Sequence, residues 1–271
     1  MANAVSTVKE KAMQQRAKSK PIEVLIQKSV SELGKALPAC MSAERLVRIA
    51  LTTLRLNPSL AECTPQSFLG ALFQSAQLGL EPNIEGQCYL IPYSNSKKIN
   101  NEWVKIKEVQ FQIGYKGYIE LFYRHEKAAC VDMHTVYEND KFEFSYGTEA
   151  FINHCPVLTN KGNVVAYYAI AKLSNGASLF KVMSKDDCYL HGKTHSKSFD
   201  DKNSPWQKDF DAMCKKTVLI QLMKLLPKSV ELQKALAMDG TTKTQIRPDM
   251  FEVKDETNWN VDSPPETIGE E

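Results

Sequence analysis

The sequence lacks the short motifs that identify most nucleotide-hydrolysing and peptide-hydrolysing enzymes. It contains no Gly-x-x-x-x-Gly-Lys-Ser/Thr loop for nucleotide phosphates, no Gly-x-Ser-x-Gly and no His-Glu-x-x-His zinc motif. No apolar run approaches the length of a membrane span, and the N-terminus lacks the apolar core of a secretory signal peptide. We therefore predict a cytoplasmic protein that does not bind a membrane and has no catalytic site.

The sequence also lacks any Cys-x-x-Cys pair. Its seven cysteines are scattered along the chain, which is typical of small core residues in a reducing compartment. The spacing of Cys188, His191 and His195 could supply three zinc ligands, but a fourth ligand would have to come from far away in the sequence. We therefore expect no metal and no cofactor.

Adjacent acids occur at two places, Asp186-Asp187 and Asp200-Asp201. Metal-dependent nucleases use clustered carboxylates, so a nuclease that acts on DNA ends is the alternative from the enzyme class. The first pair begins a predicted helix and the second lies in a predicted loop, and both are common places for solvated aspartates. We therefore favour a binding protein over an enzyme.

Charge is distributed unevenly along the chain, although the net charge is only +2. Residues 249–271 contain eight acidic residues and one lysine, so the rest of the chain is clearly basic. A basic body suggests a polyanionic ligand, and an acidic tail could compete with that ligand or recruit a partner. We predict a flexible basic arm over residues 1–20, a single folded core over residues 21–239 and a disordered acidic tail over residues 240–271.

Apolar periodicity predicts a mixed α+β fold. Helical spacing begins at Pro21 and ends before Pro38, and two further helices are predicted to begin at Ser42 and at Thr64. Strands are predicted at Cys88–Tyr93, Trp103–Tyr115, Ala128–Val136, Val164–Leu173 and Ala177–Met183. The expected core is a small antiparallel sheet with a hairpin, packed against several helices.

The stretch Gln110–Arg124 combines a strand-like first half with a helix-like second half, and Gly114 and Gly117 lie at the joint. Glycines let a backbone approach closely, and a helix start offers unpaired N–H groups to an anion. With Lys116 in the turn and Tyr115 beside it, the joint predicts a site for a phosphate with a stacked base. A tight strand-to-helix corner with two core tyrosines is the alternative interpretation.

The segment between the first two predicted strands, Asn95–Asn101, is polar and basic, which predicts a loop at the tip of a hairpin. Lys105 and Lys107 follow on the returning strand, and Tyr93 and Trp103 are interleaved with the basic residues. Such interleaving is typical of single-strand nucleic-acid surfaces, where bases stack and lysines follow the backbone. A half-solvated hairpin whose aromatic residues belong to the core is the alternative.

The helix predicted to begin at Ser204 has the strongest start signal, a Ser cap followed by Pro, with Gln at the third position. On its helical wheel Trp206 lies on the apolar side, which favours a core residue, and stacking or wedging against a base is the alternative. Lys208 and Lys215 lie on the opposite side, with Lys216 next to them. We expect this helix to hold positive charge rigidly against the core.

Four segments of the chain resemble the RecT family of phage single-strand annealing proteins, and they follow one another in the order expected for that family. They are Gln77–Pro82, Cys88–Tyr93, Gln110–Arg124 and Trp206–Thr217. The resemblance, which covers residues 22–238, implies an α+β annealing-protein fold and ATP-independent pairing of complementary DNA strands during homologous recombination and repair in a bacterial host. It also implies assembly into rings or helical filaments, and partnership with a 5′–3′ exonuclease and a host single-strand binding protein.

We predict that the protein binds single-stranded DNA, and the annealed duplex intermediate, through phosphates. Bases must remain accessible to a complementary strand, so contacts to the backbone and by stacking are expected rather than sequence readout. The predicted DNA-binding residues are Lys105, Lys107, Tyr115, Lys116, Arg124, Lys193, Lys197, Lys208, Lys215 and Lys216. In this hypothesis the lysines between positions 208 and 216 form one wall of a groove, and the basic residues between positions 105 and 124 form the other. A passive DNA-coating protein is a further alternative.

Overall fold

The computed structural model of the chain describes residues 20–38, 41–99 and 101–243. Nearly all of the predicted basic arm lies outside the described residues, and so does the predicted acidic tail after residue 243. In the described ranges, no helix is both long enough and apolar enough to cross a membrane.

The described residues form two compact units. The first unit extends to Gly117 and resumes at Val230, and the second spans Tyr118–Ser229. The single core predicted over residues 21–239 contains both units and stays a prediction. The predicted fold class, α+β with small antiparallel sheets and several helices, is confirmed.

The first unit is built around one buried helix. The helices of this unit are α1 (residues 20–28), α2 (Val30–Ala36), α3 (Ala43–Leu56), α4 (Pro65–Leu78) and α9 (Val230–Met238), with a 3-10 helix at Pro58–Glu62. Most of α4 is buried because it packs against α2, α9 and a strand ribbon. As predicted, α3 begins at Ser42, whose hydroxyl accepts from the Arg45 N–H. The position of Gly79 after the last apolar residue of α4 predicts a C-terminal cap, and Gly79 does end α4 in the left-handed conformation. The helix predicted from Pro21 is interrupted at Ser29.

A long antiparallel ribbon completes the first unit and consists of β1 (Cys88–Ile99) and β2 (Glu102–Ile113). The loop predicted at Asn95–Asn101 is wrong, because β1 continues to Ile99 and every residue of β1 has a partner on β2. Polar residues fit this strand because Glu108 accepts hydrogen bonds from Asn95 at 2.8 Å and from Lys97 at 2.7 Å across the ribbon.

The two halves of the ribbon have different surroundings. The proximal half, residues 88–93 with 108–113, buries Leu90, Val109 and Phe111 against the core that contains α4. The distal half, residues 94–99 with 102–107, consists mostly of exposed residues. A two-stranded ribbon has little stability on its own, so the proximal half anchors the distal half to the core.

A three-stranded antiparallel sheet forms the centre of the second unit, with strand order β3-β6-β7. The elements from the end of the ribbon onward are α5 (Tyr115–Tyr123), β3 (Ala128–Tyr137), β4 (Lys141–Ser145), β5 (Phe151–Cys155), β6 (Val164–Leu173), β7 (Ser178–Ser184), α6 (Lys185–His195), α7 (Pro205–Lys208) and α8 (Phe210–Met223). Helices α6 and α8 pack against the sheet. The buried Tyr167 of β6 donates a hydrogen bond to Asp211 of α8, and burial raises the pKa of Tyr167. The Asn175-Gly176 pair predicts a hairpin turn between β6 and β7, and Ser184 with Asp187 predicts a capping box; both are confirmed.

The β4–β5 hairpin is absent from the sequence-based prediction, because strands of five residues show too few alternations to be recognised. Its aromatic side chains join it to the sheet. The Phe142 ring stacks on Tyr168 of β6, with ring centroids 5.6 Å apart, and Tyr146 stacks on Phe180 of β7 at 5.1 Å. Contacts with strands distant in sequence therefore stabilise the hairpin, and its local sequence alone does not reveal it.

A buried carboxylate joins the β3–β4 turn to β5. Asp140 accepts backbone N–H hydrogen bonds from Tyr137 at 2.8 Å and Val157 at 2.9 Å, and its Oδ2 lies 3.0 Å from Nε2 of His154. The side chain is inaccessible to solvent. The hydrogen bond from Tyr137, with those from Val157 and His154, lowers the pKa of Asp140 to about 2 although burial acts in the opposite direction.

We expect Asp140→Asn to destabilise the second unit at neutral pH and to flatten its response to acid. The folded-state pKa of about 2 lies below the ordinary value of 3.8. The carboxylate therefore stabilises the fold fully above about pH 5, and its contribution is lost progressively as the pH falls towards 2. Thermal unfolding between pH 7 and pH 2 measures this effect. Asp132→Asn removes an exposed carboxylate beside His134 and is the control. An unchanged acid response in D140N would contradict the assignment.

Candidate nucleic-acid interface

The two glycines at the β2–α5 joint accommodate a neighbouring piece of the chain itself. A Cβ atom on Gly114 would lie closer than 3.0 Å to the carbonyl oxygen of Gly86, and one on Gly117 closer than 3.0 Å to that of Gln87. The Gly114 N–H donates to the Gln87 carbonyl at 2.8 Å. The close approach therefore belongs to a strand-to-helix corner, which is the alternative interpretation of this stretch, and the Gly114 N–H is not available to a phosphate.

The surface around this corner nevertheless carries groups suited to a nucleic acid. Tyr115 is 38% exposed and Lys116 is exposed, whereas Tyr118, one turn further along α5, is buried in the core. Tyr89, which is not among the predicted DNA-binding residues, is 41% exposed, and its ring edge lies against Gly114. Two partly exposed tyrosines and one lysine therefore adjoin Gly114. The alternating burial of β1, with Cys88 and Leu90 inside, is the sequence signal that places Tyr89 outside.

The ribbon holds two of the predicted lysines on one face. Lys105 and Lys107 are separated by one residue on β2, and both are exposed. Lys107 forms an ion pair with Glu62 of the 3-10 helix, and this contact raises the pKa of Lys107. Among the described residues, no acidic side chain pairs with Lys105. Lys105 is therefore the stronger candidate for a phosphate contact.

The remaining predicted residues lie on helices of the second unit or between them. Arg124 follows α5 and lies 3.4 Å from Glu120. Lys193 is in the last turn of α6, and Lys197 lies just after that helix. All three basic side chains are accessible to solvent, which is the minimum requirement for a contact with DNA.

The helix predicted from Ser204 is divided in two, which corrects the expected placement of its lysines. Asp209 has non-helical backbone angles and caps α8 by accepting from the Ala212 N–H at 3.1 Å. Lys208 therefore ends α7, whereas Lys215 and Lys216 belong to α8 and are only half-exposed. A wheel drawn through a continuous helix does not describe how these lysines are arranged.

Trp206 belongs to the core, which is the favoured of the two interpretations. It is 7% exposed, and its ring packs against Phe199 and Phe210 at centroid distances of 5.5 and 5.9 Å. The Ser204 hydroxyl accepts from the Trp206 N–H at 3.2 Å and caps α7. The indole is therefore not available to stack on a base.

The predicted DNA-binding residues are divided between the two units. Lys105, Lys107, Tyr115 and Lys116 lie in the first unit, whereas Arg124, Lys193, Lys197, Lys208, Lys215 and Lys216 lie in the second. Each wall of the hypothetical groove thus consists of residues of one unit, apart from Arg124. The groove itself stays a prediction.

The residues considered as zinc ligands have other contacts. The neighbouring Cys188 thiol and burial raise the pKa of the Cys214 thiol. The rings of His191 and His195 pack against each other, with centroids 4.5 Å apart. Burial and the neighbouring His195 lower the pKa of His191. In the described part of the chain, no three histidine, cysteine or acidic side chains are grouped so that they could hold a metal ion.

Known proteins resemble this chain over most of its length. The family model described as "RecT family" matches residues 44–257. Protein RecT of Escherichia coli strain K12 is 38% identical over 229 residues, which cover 84% of this chain and 82% of that protein. The uncharacterized protein YqaK of Bacillus subtilis strain 168 is 30% identical over 190 residues, which cover 69% of this chain and 61% of that protein.

Proposed function

The chain belongs to the RecT family, and we propose that it binds single-stranded DNA by the phosphate backbone and pairs complementary strands without ATP. Family membership supports a DNA recombination protein that anneals single strands. The proposal adds the mode of binding and the independence from nucleotide hydrolysis. The absence of a phosphate-binding Gly-Lys-Ser/Thr loop from the sequence is consistent with that independence.

The observation that carries the proposal is the placement of unpaired lysines on regular secondary structure. Lys105 on β2, Lys116 on α5 and Lys208 on α7 are exposed, and no acidic side chain among the described residues pairs with them. A lysine on a strand or helix holds its charge at a defined position on the surface. Contacts of this kind bind phosphates irrespective of sequence and leave the base edges open to a complementary strand.

Annealing also requires that a long stretch of single strand be bound, because a few lysines on one subunit contact only a few nucleotides. We propose that copies of the chain assemble along the strand as a ring or helical filament, so that the same contacts repeat and the annealed duplex intermediate stays bound. The proposed partners are a 5′–3′ exonuclease that exposes the single strand and a host single-strand binding protein. The acidic residues between positions 249 and 271 suit recruitment of a basic partner.

The experiment that tests this function mixes two complementary labelled oligonucleotides with the protein in the absence of ATP. Energy transfer between the labels measures pairing, and a denaturing gel then measures strand length, with magnesium present and absent. Faster pairing of intact strands is the expected result. Shortened strands would favour the nuclease alternative, and binding without faster pairing would favour a passive coat.

A further inference from the structure

The distal half of the ribbon has two chemically different faces. Side chains alternate along a strand, so Trp103, Lys105 and Lys107 of β2 share one face. Lys98 is the cross-strand partner of Trp103 and therefore lies on the same face. We call this surface, defined by Lys98, Trp103 and Lys105, the Trp103 face.

The acidic residues of the distal ribbon and its junction point to the opposite face. Glu102, Val104 and Ile106 alternate with the residues of the Trp103 face, and Glu108 continues the same series. Glu108 is 3% exposed and is neutralised by Lys97, at 2.7 Å. The Trp103 face is therefore positively charged, because β1 and β2 place lysines but no acidic side chain on it.

Trp103 is unusually accessible for its size. It is 72% exposed, whereas tryptophan side chains are highly buried on average. The nearest cations on its face, Lys98 and Lys105, have no acidic partner among the described residues. Lys107, the next lysine along the face, is already paired with Glu62. The exposed indole and the two neighbouring lysines therefore have no partner in the described residues that would explain their presence on this face.

We propose that the Trp103 face is a base-stacking site, in which the indole stacks on one unpaired nucleobase and Lys98 and Lys105 hold the adjacent phosphates. The proposal rests on the proposed function and names the residues that read an unpaired base. Lys98 lies directly across the ribbon from Trp103, and Lys105 lies two residues along the same strand, about 7 Å away, so both lysines are neighbours of the indole on this face. An exposed aromatic ring on a positively charged surface is the combination that single-strand binding surfaces use.

Charge favours a single strand over a second copy of the chain as the occupant. Two copies of the Trp103 face would place like charges opposite each other, whereas a nucleic acid supplies phosphates. A duplex offers those phosphates too, but its base faces are covered by neighbouring pairs. The indole therefore distinguishes unpaired bases from paired ones, and we expect the stacking contact to be lost as a complement pairs with the bound strand.

Tryptophan fluorescence detects this contact directly. The chain has three tryptophans, and Trp206 is buried, so a Trp259→Phe background leaves Trp103 as the exposed reporter. We expect an unpaired dT oligonucleotide to quench the emission, and the preformed duplex to quench it less. Trp103→Phe in the same background should remove the quenching and retain affinity for DNA, because phenylalanine also stacks.

A dT oligonucleotide and an abasic strand of the same length distinguish the contribution of base stacking to binding from that of phosphate contacts. Trp103→Ala should weaken binding of a dT oligonucleotide by at least about fivefold, as expected for the loss of a base–aromatic contact. It should leave unchanged the binding of an abasic strand of the same length, which has phosphates without bases. Lys98→Ala with Lys105→Ala should weaken both ligands. Val104→Ala, on the opposite face of the same strand, is the matched control and should bind both as wild type does.

Equal affinity of W103A and the wild type for the dT oligonucleotide would overturn the proposal while leaving strand annealing by the wild type intact. A loss of self-association by W103A in sedimentation without DNA would also overturn it, because the site would then bind a second copy of the chain. Failure of the wild type to bind any single strand would instead refute the proposed function.

Discussion

Replacing Gly114 with alanine is expected to destabilise the first unit by about 2–4 kcal/mol, through overpacking and the loss of one backbone hydrogen bond. The new Cβ atom would press on the backbone carbonyl of Gly86, which cannot turn away as a flexible side chain would. The joint between β2 and α5 would have to open, and the Gly114 N–H would lose the Gln87 carbonyl. Whole domains are stable by only about 5–15 kcal/mol, so this is a large part of the total.

Hydrogen exchange of the ribbon amides measures this loss within the first unit. Gly34→Ala is the control, because a Cβ atom at Gly34, inside α2, would meet only the Cβ of Ala43 at an ordinary distance of 3.7 Å. That substitution should be neutral or stabilise the unit by up to about 1 kcal/mol. If G114A keeps full protection but binds DNA poorly, the glycine serves the ligand rather than the corner, and our assignment of this joint is wrong.

A variant in which Lys105, Lys116 and Lys208 are all alanine is expected to bind single-stranded DNA about 100-fold more weakly at 0.1 M salt. Each phosphate contact to a single strand contributes about 0.7 to the slope of log affinity against log salt concentration, so three lost contacts should reduce the slope by about 2. The loss should be the same for dT and mixed-sequence oligonucleotides, since phosphates carry no sequence information. Fluorescence anisotropy from 50 to 300 mM salt measures both quantities.

The control for this variant changes the net charge equally at other exposed positions. Lys127, Lys172 and Lys234 are exposed and belong to none of the predicted contacts, so replacing all three with alanine should leave most of the affinity and the salt slope in place. If the two triple variants weaken binding to the same extent, net charge rather than defined phosphate contacts governs binding. An unchanged salt slope in the variant that lacks Lys105, Lys116 and Lys208 would show that these lysines do not contact phosphates.

Many of the predicted elements depend on signals that lie close together in the chain. The Ser42 cap, the Ser184 capping box and the left-handed Gly79 each involve hydrogen bonds between residues a few positions apart. The turn at Asn175-Gly176 is equally local and joins two strands whose alternation is long enough to recognise. Such features are predictable because the residues that cause them are neighbours in sequence.

The two incorrect predictions have different causes, a distant partner in the first and a local cap in the second. The polar side chains of Asn95 and Lys97 predict a loop, yet both residues lie on β1 and donate hydrogen bonds to Glu108 on β2. The helix after Ser204 breaks at Asp209, whose side chain caps the next helix instead of extending the previous one. Hydrophobic periodicity alone reveals neither a hydrogen-bond acceptor on the opposite strand nor a capping residue inside an otherwise helical pattern.

For the candidate site, the sequence by itself determined the family, the α+β class and the basic and aromatic residues that suit a nucleic acid. Composition and motifs carry that information without reference to geometry. Only the tertiary structure decided the role of each residue, because burial and ion pairing depend on what the fold brings alongside. It placed Trp206 in the core and left Trp103 exposed, paired Lys107 with Glu62 while Lys105 stayed unpaired, and used Gly114 and Gly117 for contact with the chain's own backbone. Two tryptophans or two lysines are chemically identical in sequence, and they differ only in their neighbours in space.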